Sequence, residues 1–328
     1  MSTHRRRRLG VIGTIVWDVI YGRDPRDVPV EEWGGIAYAL AACDAAMPDD
    51  WELVPLMKVG SDLSPRARAW LRTLRHLAPD AHPIDVPQAN NRVELRYTDE
   101  ERRSEVLHGG VPGWTWQGLA PLVRDLDALY VNFISGFELD LETAQLLRQH
   151  YRGPMYGDLH SLVLGVAPSG LRTPHPLLNV ESWCRCFDLL QINEDELALM
   201  APDGMTLAAT ALRAGVSSLV VTLGPRGVIY FLAPHVHALA DVRRAGEPRA
   251  PLGPIRTARV PAEPSGVKGP GDPTGCGDVW GATYFARLVA GDKFDAAMHA
   301  AMHAAARNVA QRGATGLAPY LRGELTPP

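Results

Sequence analysis

Residues 271–278 read Gly-Asp-Pro-Thr-Gly-Cys-Gly-Asp, and the residues after them predict a helix that runs to about Leu288. Glycines let backbone N–H groups converge where a side chain would obstruct them. A helix N-terminus adds partial positive charge, so this turn predicts an anion site. Asp278 falls in the first helical turn, where a carboxylate beside an anion site is typical of a general base for phosphoryl transfer to a hydroxyl. The alternative is that Asp278 only caps or charges the helix start.

Two other kinds of phosphate-binding turn do not fit the sequence. A GxxxxGK[ST] run is missing, which excludes a Walker-type loop as the source of phosphate binding. The turn after the first predicted strand spans residues 13–18 and lacks the second and third glycines of a dinucleotide-binding turn. This argues against a Rossmann-type oxidoreductase.

Apolar, β-branched runs alternate with helical stretches along the chain. The predicted strands are residues 9–16, 53–59, 126–134, 155–158, 189–192 and 218–223. The predicted helices are residues 35–46, 66–77, 141–150 and 206–214. This alternation predicts an α/β fold with a mainly parallel central sheet covered on both faces. In such sheets ligands bind at the carboxyl ends of the strands.

Two segments interrupt the alternation and predict a small β lid. Residues 22–33 are polar and contain prolines, and residues 91–106 have the alternation of a two-stranded ribbon. We expect the lid to comprise residues 22–33 and 90–110, and the alternative is a pair of ordinary surface loops. Residues 242–267, rich in proline, glycine and arginine, predict a long loop or hairpin. The length of 328 residues suits a single domain over residues 1–328.

The composition excludes several classes of partner. The formal net charge is -4, which gives no general attraction to nucleic acid or to an anionic membrane. Apolar runs stay shorter than the ~18 residues of a membrane span. The four cysteines are scattered without a CxxC pair, so we expect a reducing, cytoplasmic setting. The four arginines at residues 5–8 read as a solvated arm.

The glycine turn resembles the C-terminal signature of the ribokinase-like (PfkB) family of carbohydrate and nucleoside kinases. That signature is usually D-T-x-G-A-G-D, and here Pro273 stands for the threonine and Cys276 for the alanine. The resemblance implies a three-layer α/β/α fold with a small β lid. It also implies that Gly275, Cys276 and Gly277 supply the backbone amides of an anion hole and that Asp278 deprotonates the acceptor hydroxyl.

Two further segments are similar to the family's substrate-binding motifs, and the region of the lid adds further candidates. Asp18 closes a G-x-x-x-x-D run after the first strand, where the family holds substrate hydroxyls; the alternative is a turn residue at a strand end. Gly34 and Gly35 resemble the family's substrate-binding glycine pair. Arg92 in the lid is a candidate for binding a phosphate already on the substrate, and the alternative is a solvated charge on an edge strand. Trp17 and Trp33 are candidates for stacking on a base or sugar, and the alternative is that each is a core residue or an anchor of the lid.

The donor side of the resemblance begins at Asn193 and Glu196, which match the family's N-x-x-E motif. The resemblance associates this motif with magnesium and phosphate, and Glu196 would act on Mg²⁺ through water. Taken without the family, the same residues read as an N-cap followed by an acidic first turn.

The nucleotide side continues with Thr222, Gly224 and Gly227, similar to the family's T-x-G-x-x-G segment that contacts nucleotide phosphates. By itself this segment is only a glycine-rich turn between strands. A last helix is predicted from Phe294 to Arg312. The resemblance makes it a wall of the adenine pocket, with Met302 as a candidate contact.

Two positions depart from the family pattern at the acceptor end. Ala39 stands where the family usually has an asparagine that reaches a substrate hydroxyl. That hydrogen bond is therefore missing, or Tyr38 supplies it from the neighbouring position. His160 replaces the asparagine of the family's D-x-N segment, which falls near the middle of the sequence. These departures argue against a plain ribose or fructose kinase and leave the phosphoryl-transfer residues intact.

The resemblance therefore predicts an ATP-dependent phosphotransferase that acts on an alcohol group of a sugar, a sugar-like polyol or a nucleoside. ATP and Mg²⁺ are the expected cofactors, a monovalent cation such as K⁺ is left open, and so is a homodimer formed through the lid. The alternative is a catalytically silent sugar or nucleotide sensor on the same fold.

Overall fold

The computed structural model describes residues 5–21, 28–97, 103–234, 236–244, 253–267 and 271–325. The strands are β1 (Arg7–Ile12), β2 (Ile15–Tyr21), β3 (Val30–Gly35), β4 (Trp51–Leu56), β5 (Lys58–Gly60), β6 (Ile84–Val86), β7 (Arg92–Tyr97), β8 (Arg103–His108), β9 (Ala128–Asn132), β10 (Met155–Asp158), β11 (Leu164–Val166), β12 (Arg172–Pro174), β13 (Leu189–Asn193), β14 (Ser218–Thr222), β15 (Val228–Leu232) and β16 (Arg256–Val260). The helices are α1 (Ile36–Ala46), α2 (Ser64–Leu71), α3 (Trp116–Leu119), α4 (Leu141–His150), α5 (Val180–Cys184), α6 (Glu194–Met200), α7 (Gly204–Ala214), α8 (Cys276–Val289), α9 (Phe294–Asn308) and α10 (Leu317–Leu321).

The central sheet has the strand order β16-β15-β14-β13-β10-β9-β1-β4. Strands β14 to β4 in this order run parallel, and β15 and β16 are added antiparallel at one edge. The mainly parallel sheet predicted from the alternating pattern is confirmed. The segment 242–267, predicted as a long loop or hairpin, contributes β16, which pairs antiparallel with β15.

Helices cover both faces of this sheet and divide the apolar core in two. Helices α1, α8, α9 and α10 pack together on one face, over a core that includes Leu9, Val11 and Tyr130. Helices α3, α4, α5 and α7 lie on the other face, over a core that includes Ile12, Val131 and Phe133. Adjacent residues of β1 and β9 point to opposite cores, because side chains alternate along a strand. The three-layer α/β/α architecture is thus confirmed.

A second sheet lies against the first, with the strand order β3-β2-β7-β8. Strand β2 pairs antiparallel with β3 and parallel with β7, and β7 pairs antiparallel with β8. We expected one strand over residues 9–16, but β1 ends at Ile12 and β2 begins at Ile15 in the second sheet. Both strands are apolar, so the pattern of hydrophobic residues did not reveal the change of sheet. Residues 22–27 and 98–102 of the predicted lid lie outside the described residues.

Two predicted helices are shorter in the structure. Helix α2 ends at Leu71, because Leu74 N–H already bonds the Leu71 carbonyl three residues back, in a turn. Helix α9 ends at Asn308, four residues before the predicted end, and Gly313 follows in a left-handed conformation with φ 71°.

Two further features concern the length of the helices and the state of the cysteines. In the part of the chain that it describes, every helix is too short or too polar to span a membrane. All four cysteines are free thiols.

A buried ion pair joins α4 to the amino-terminal ends of β10 and β13. The Arg148 guanidinium lies 2.8 Å from the Asp188 carboxylate, and the two side chains are 7% and 2% exposed. Arg148 also donates to the Tyr151 carbonyl at 2.7 Å, and the same Asp188 oxygen accepts the Met155 N–H at 2.7 Å. Each charge therefore has an opposite charge and a backbone hydrogen bond in a place from which water is excluded, although Arg148 Nε has no partner among the described residues.

We expect Arg148→Met to lower the free energy of unfolding by about 3–5 kcal/mol, because it leaves the Asp188 charge buried without its main partner. Urea unfolding followed by circular dichroism measures this change. Arg185→Met is the matched control, since Arg185 and Glu181 form a pair that is 54% and 60% exposed. Equal losses in the two variants would contradict the prediction.

Candidate active site

A cavity opens at the carboxyl edge of the central sheet, between the second sheet and the start of α8. Its polar lining consists of Asp18, Tyr38, Glu105, His160, Arg172, Thr274 and Asp278. Its apolar lining consists of Val16, Val93, Leu95 and Ile134. The cavity therefore lies where parallel α/β sheets bind ligands, and the second sheet contributes one of its walls.

The glycine turn before α8 is held from three sides. Gly275 has φ 75°, and a Cβ there would lie 2.4 Å from the Tyr38 ring. Asp272 accepts the Thr274 N–H at 2.9 Å, and Asn308 donates to the Thr274 carbonyl at 2.9 Å. The turn is thus rigid before any ligand binds, as a preorganised anion site requires.

Gly277 differs from Gly275 because nothing in the fold demands a glycine there. A Cβ at this position would have the Gln191 amide nitrogen as its nearest neighbour, at 3.8 Å. Glycine in a helix is less stable than alanine by about 0.5–1 kcal/mol. The open space beside Gly277 is consistent with close approach of a ligand to the backbone.

Cys276, between the two glycines, adds no negative charge to the turn. Burial raises the pKa of its thiol to about 11, although the Asn308 amide donates to the sulfur at 3.3 Å. The neutral thiol faces Ala305, whose carbonyl accepts from it at 3.6 Å. Replacement of the family's alanine by cysteine therefore does not repel an anion from the turn.

Asp278 lies in the first turn of α8, as predicted, and its carboxylate is oriented by a residue that sequence reasoning missed. The Asn132 side-chain amide donates to Asp278 Oδ1 at 2.6 Å. Asn132 is the fully buried last residue of β9. Its only sequence signal is a polar residue near the end of the apolar run 126–134.

Gln191 is a second residue that sequence reasoning missed. From the middle of β13 its amide nitrogen donates to the Gly277 carbonyl at 3.0 Å and to Asp158 at 3.2 Å. Its amide oxygen accepts from the Tyr156 hydroxyl at 2.7 Å. Gln191 therefore ties the start of α8 to two strands of the sheet.

His160 carries positive charge into this group of acids. Its Nδ1 lies 3.0 Å from Glu196 Oε1. Burial alone would lower the pKa of His160, but the Glu196 hydrogen bond and the charges of Glu196, Asp278 and Asp158 raise it to about 9. Burial also raises the pKa of Asp158 well above its usual range. The histidine found in place of the family's asparagine is therefore an imidazolium at neutral pH.

Asn193 and Glu196 form a complete capping box at the start of α6. Asn193 donates to Glu196 through its backbone N–H at 2.8 Å and through its side chain at 2.6 Å, and Glu196 N–H returns a bond at 2.8 Å. With His160, three donors occupy the Glu196 carboxylate, out of about four lone-pair sites. One site on Oε2 remains, which fits a magnesium-bound water better than direct coordination. Among the described residues no cluster of three or more acidic, histidine or cysteine side chains could hold a metal ion by itself.

The nucleotide candidates follow β14. Thr222 is the last residue of that strand, and Gly224 has φ 55° with no atom of the described residues within 4 Å of the place that a Cβ would take. Gly227 has a structural reason to be glycine, since a Cβ would lie 2.0 Å from the Val260 carbonyl oxygen. The structure thus leaves Gly224 open on its surface and uses Gly227 for packing.

Met302 lies in the contact between α8 and α9. It is 4% exposed, and its sulfur accepts from the Trp280 indole N–H at 3.2 Å. This packing accounts for Met302 without a ligand, and its predicted contact with adenine stays a prediction.

At the acceptor end, the glycine pair gives room to Asp18. A Cβ on Gly34 would lie 1.7 Å from an Asp18 carboxylate oxygen, so the buried carboxylate fits only against a glycine. Gly35 has φ 58° and opens α1, and a Cβ there would lie 2.7 Å from the Thr14 carbonyl. The three residues are brought together as one unit.

The other acceptor candidates lie apart from the cavity lining. Arg92 forms an ion pair with Asp62 at 2.7 Å. Trp17 and Trp33 pack edge to face within the second sheet, with ring centroids 4.9 Å apart, and Arg66 lies over Trp17. A phosphate-binding role for Arg92 stays a prediction, and it would require that the pair with Asp62 opens.

Comparisons with known proteins agree on the fold. No family model and no curated protein matches the chain. Among solved structures it is similar to a nucleoside kinase of Burkholderia thailandensis in complex with inosine, with a TM-score of 0.71, 17% identity, and coverage of 97% of this chain and 95% of that one. A pyrophosphate-dependent kinase in the ribokinase family, complexed with a pyrophosphate analog and myo-inositol, has a TM-score of 0.69, 16% identity and coverage of 93% and 96%.

A third similar structure is a putative ribokinase II from E. coli in complex with ATP and Mg²⁺. It has a TM-score of 0.66, 15% identity and coverage of 94% and 95%. The chain therefore has the ribokinase-like fold over nearly its whole length, as the glycine turn and the order of the motifs predicted.

We expect Gly277→Ala to raise the free energy of unfolding by about 0.5–1 kcal/mol, because alanine is the better helix former and its methyl group has room. We expect sulfate or pyrophosphate to raise the melting temperature of the unmodified protein, and the same methyl group should abolish that rise. Thermal unfolding with and without each anion measures both effects.

Gly118→Ala in α3 is the control, since its Cβ would make an ordinary contact of 3.5 Å with Thr115. This variant should respond to both anions as the unmodified protein does. An undiminished anion effect in Gly277→Ala would contradict the placement of an anion site at the turn.

Proposed function

We propose that this chain, which has the ribokinase-like fold, transfers the γ-phosphoryl group of ATP to an alcohol group of a sugar, a sugar-like polyol or a nucleoside. The observation that supports this most directly is the position of Asp278. Its carboxylate lines the cavity at the start of α8 and is oriented by Asn132 at 2.6 Å. A base held beside a preorganised anion site is what transfer to a hydroxyl needs.

In this proposal the acceptor alcohol lies between Asp18 and Asp278. Asp278 takes the proton of the reacting hydroxyl while the hydroxyl oxygen attacks the γ-phosphorus. The bond between the γ-phosphorus and the bridging oxygen breaks, and ADP leaves with that oxygen. The amides of Gly275 and Gly277 donate to the transferring phosphoryl oxygens, where negative charge develops. The Cys276 N–H, which donates to the Pro273 carbonyl at 3.1 Å, would join them only when that bond opens. The helix dipole of α8 adds to this stabilisation.

The donor would lie along Thr222, Gly224 and Gly227 toward α9, with Met302 near the adenine. Magnesium, when bound, would neutralise phosphate charge, and Glu196 would hold one of its waters through the remaining lone-pair site. The imidazolium of His160, hydrogen-bonded to Glu196 and lining the cavity, adds positive charge on the same side. Val93 and Leu95 of the second sheet would exclude water from the reacting groups.

We expect the protein to release ADP from ATP and Mg²⁺ when the right alcohol is present, in a screen of sugars, sugar phosphates, nucleosides and inositols. Asp278→Asn should lower kcat by about 10²–10⁴-fold, because the substitution removes the base and keeps the shape of the side chain. Binding of ATP, measured by calorimetry, should be unchanged. Pyrophosphate replaces ATP in a parallel screen, to test the donor.

Near-normal turnover by Asp278→Asn would contradict the assignment of the base. ATP binding without ATP consumption across the whole panel would instead favour a catalytically silent sensor on the same fold.

We expect Asn132→Leu to lower kcat by about 10–100-fold, because loss of a hydrogen bond to a charged group corresponds to about 1.5–3 kcal/mol. The KM for ATP should stay the same, since Asn132 contacts the base and no nucleotide candidate. Steady-state kinetics at saturating acceptor gives both constants. If kcat is unchanged while the variant is folded, Asn132 does not position the base.

A further inference from the structure

Tyr38 places an unsatisfied hydroxyl in the cavity. The residue lies in α1, lines the cavity and is 2% exposed. Its hydroxyl has no hydrogen-bond partner among the described residues. A buried hydroxyl without a partner costs about 1–3 kcal/mol, so the fold alone would be served better by phenylalanine.

The surroundings of this hydroxyl suit a hydrogen-bond donor. The charges of Asp18, Asp272 and Asp278 act on it, and together with burial they raise the pKa of Tyr38 well above its usual range. The phenol therefore keeps its proton. None of the three carboxylates hydrogen-bonds the phenol, so a ligand oxygen is the acceptor that the hydroxyl lacks.

The neighbouring residue cannot take this role. Ala39 is fully buried and has no polar side-chain atom. The Tyr38 ring packs against Gly275, and a Cβ on that glycine would lie only 2.4 Å from the ring. The phenol is thus held by the same glycine turn that begins α8.

The charges around the cavity favour an uncharged acceptor. The Arg172 guanidinium donates to the carbonyls of Ile134 at 3.0 Å and Ser135 at 3.2 Å and lies 3.5 Å from the Glu105 carboxylate. Asp18 and Asp278 add negative charge to the same lining. The remaining cation of the lining, His160, is hydrogen-bonded to Glu196 at 3.0 Å. A phosphate on the acceptor would therefore meet carboxylates, together with an arginine and a histidine that are already engaged.

The types of side chain in the lining also argue against a nucleobase. The second sheet contributes the aliphatic side chains of Val93 and Leu95 to the cavity. The two tryptophans that could stack on a base, Trp17 and Trp33, pack against each other within that sheet instead. Small hydroxyl-bearing rings fit this combination of carboxylates, one phenol and aliphatic groups.

We propose that Tyr38 donates a hydrogen bond to a hydroxyl of the acceptor next to the reacting one, and that the acceptor is an uncharged polyol, either a cyclic polyol or a free sugar. The inference rests on the proposed function, since it assigns the acceptor end of the same site. Tyr38 is thereby a specificity residue, which takes over at a neighbouring position the contact that Ala39 cannot make.

The test measures binding and stability in parallel on the whole protein. The probes are myo-inositol, ribose, inosine and ribose 5-phosphate, each titrated by calorimetry without a phosphoryl donor. Myo-inositol or ribose should bind the unmodified protein at least about 10-fold more tightly than inosine or ribose 5-phosphate. Tyr38→Phe should weaken binding of that polyol by about 10–100-fold, as expected for one hydrogen bond.

Stability separates this role from a structural one. Tyr38→Phe should leave the melting temperature unchanged or raise it, because it removes a buried hydroxyl that has no partner. Tyr130→Phe is the matched control: its hydroxyl is also buried and without a partner among the described residues, but Tyr130 is absent from the cavity lining. This control should bind the polyol as the unmodified protein does.

The other results overturn either the inference or the proposed function. Undiminished polyol binding by Tyr38→Phe refutes the role of the phenol, and tighter binding of inosine or ribose 5-phosphate refutes the acceptor class, as does failure of all four probes to bind. Binding of a polyol that depends on Tyr38, together with no transfer from ATP, would refute the proposed function alone. Phosphorylation of a polyol that is indifferent to Tyr38→Phe would refute this inference alone.

Discussion

The hydrogen bond from Asn132 to Asp278 is the contact on which the site depends, because it joins the end of β9 to the first turn of α8 across 146 residues of sequence. Gln191 makes a second junction from β13 to the Gly277 carbonyl. The two amides orient the start of α8 from within the sheet, so the direction of its dipole is set by buried, rigid strands. A base and an anion site on the same helical turn then keep a constant relation to each other, as preorganisation requires.

The buried polar groups around this junction are expensive, and their balance explains the departure at His160. Burial, together with the charges of Asp278 and Glu196, raises the pKa of Asp158 well above its usual range. An imidazolium at His160 offsets part of this cost through its contact with Glu196. An asparagine at that position would offer hydrogen bonds without charge. The histidine thus changes the electrostatics beside Glu196 and leaves the glycine turn as it is.

The sequence was informative where the chemistry is local. Residues 271–278 and the helix after them, the alternation of strands and helices, and the N-x-x-E segment each have a pattern within a few residues. Asn132 and Gln191 lack such a pattern, because each is a single polar residue in an apolar strand whose partners come from distant parts of the sequence. The division between β1 and β2 was missed for a related reason, since two consecutive buried strands in different sheets have the same hydrophobicity.

Charge and residue type were weaker guides than these patterns. Arg92 was a reasonable candidate for a phosphate because it is basic and lies in the second sheet, but only the structure shows its ion pair with Asp62. Trp33 was a reasonable candidate for stacking, but it packs against Trp17. In both cases the partner comes from a different segment, at a distance that composition and spacing do not encode.

The glycines of the site separate the demands of the fold from those of a ligand. Gly34 and Gly227 are enclosed by protein atoms, Asp18 in the first case and the Val260 carbonyl in the second, so packing alone excludes a side chain at either position. Gly277 has room for a methyl group and lies in a helix, where glycine is unfavourable. The same reasoning applies to the Tyr38 hydroxyl, because a buried hydroxyl without a partner among the described residues does not stabilise the fold. Gly277 and Tyr38 both make the folded protein less stable than a simple replacement would. Residues of this kind indicate most directly where a ligand binds.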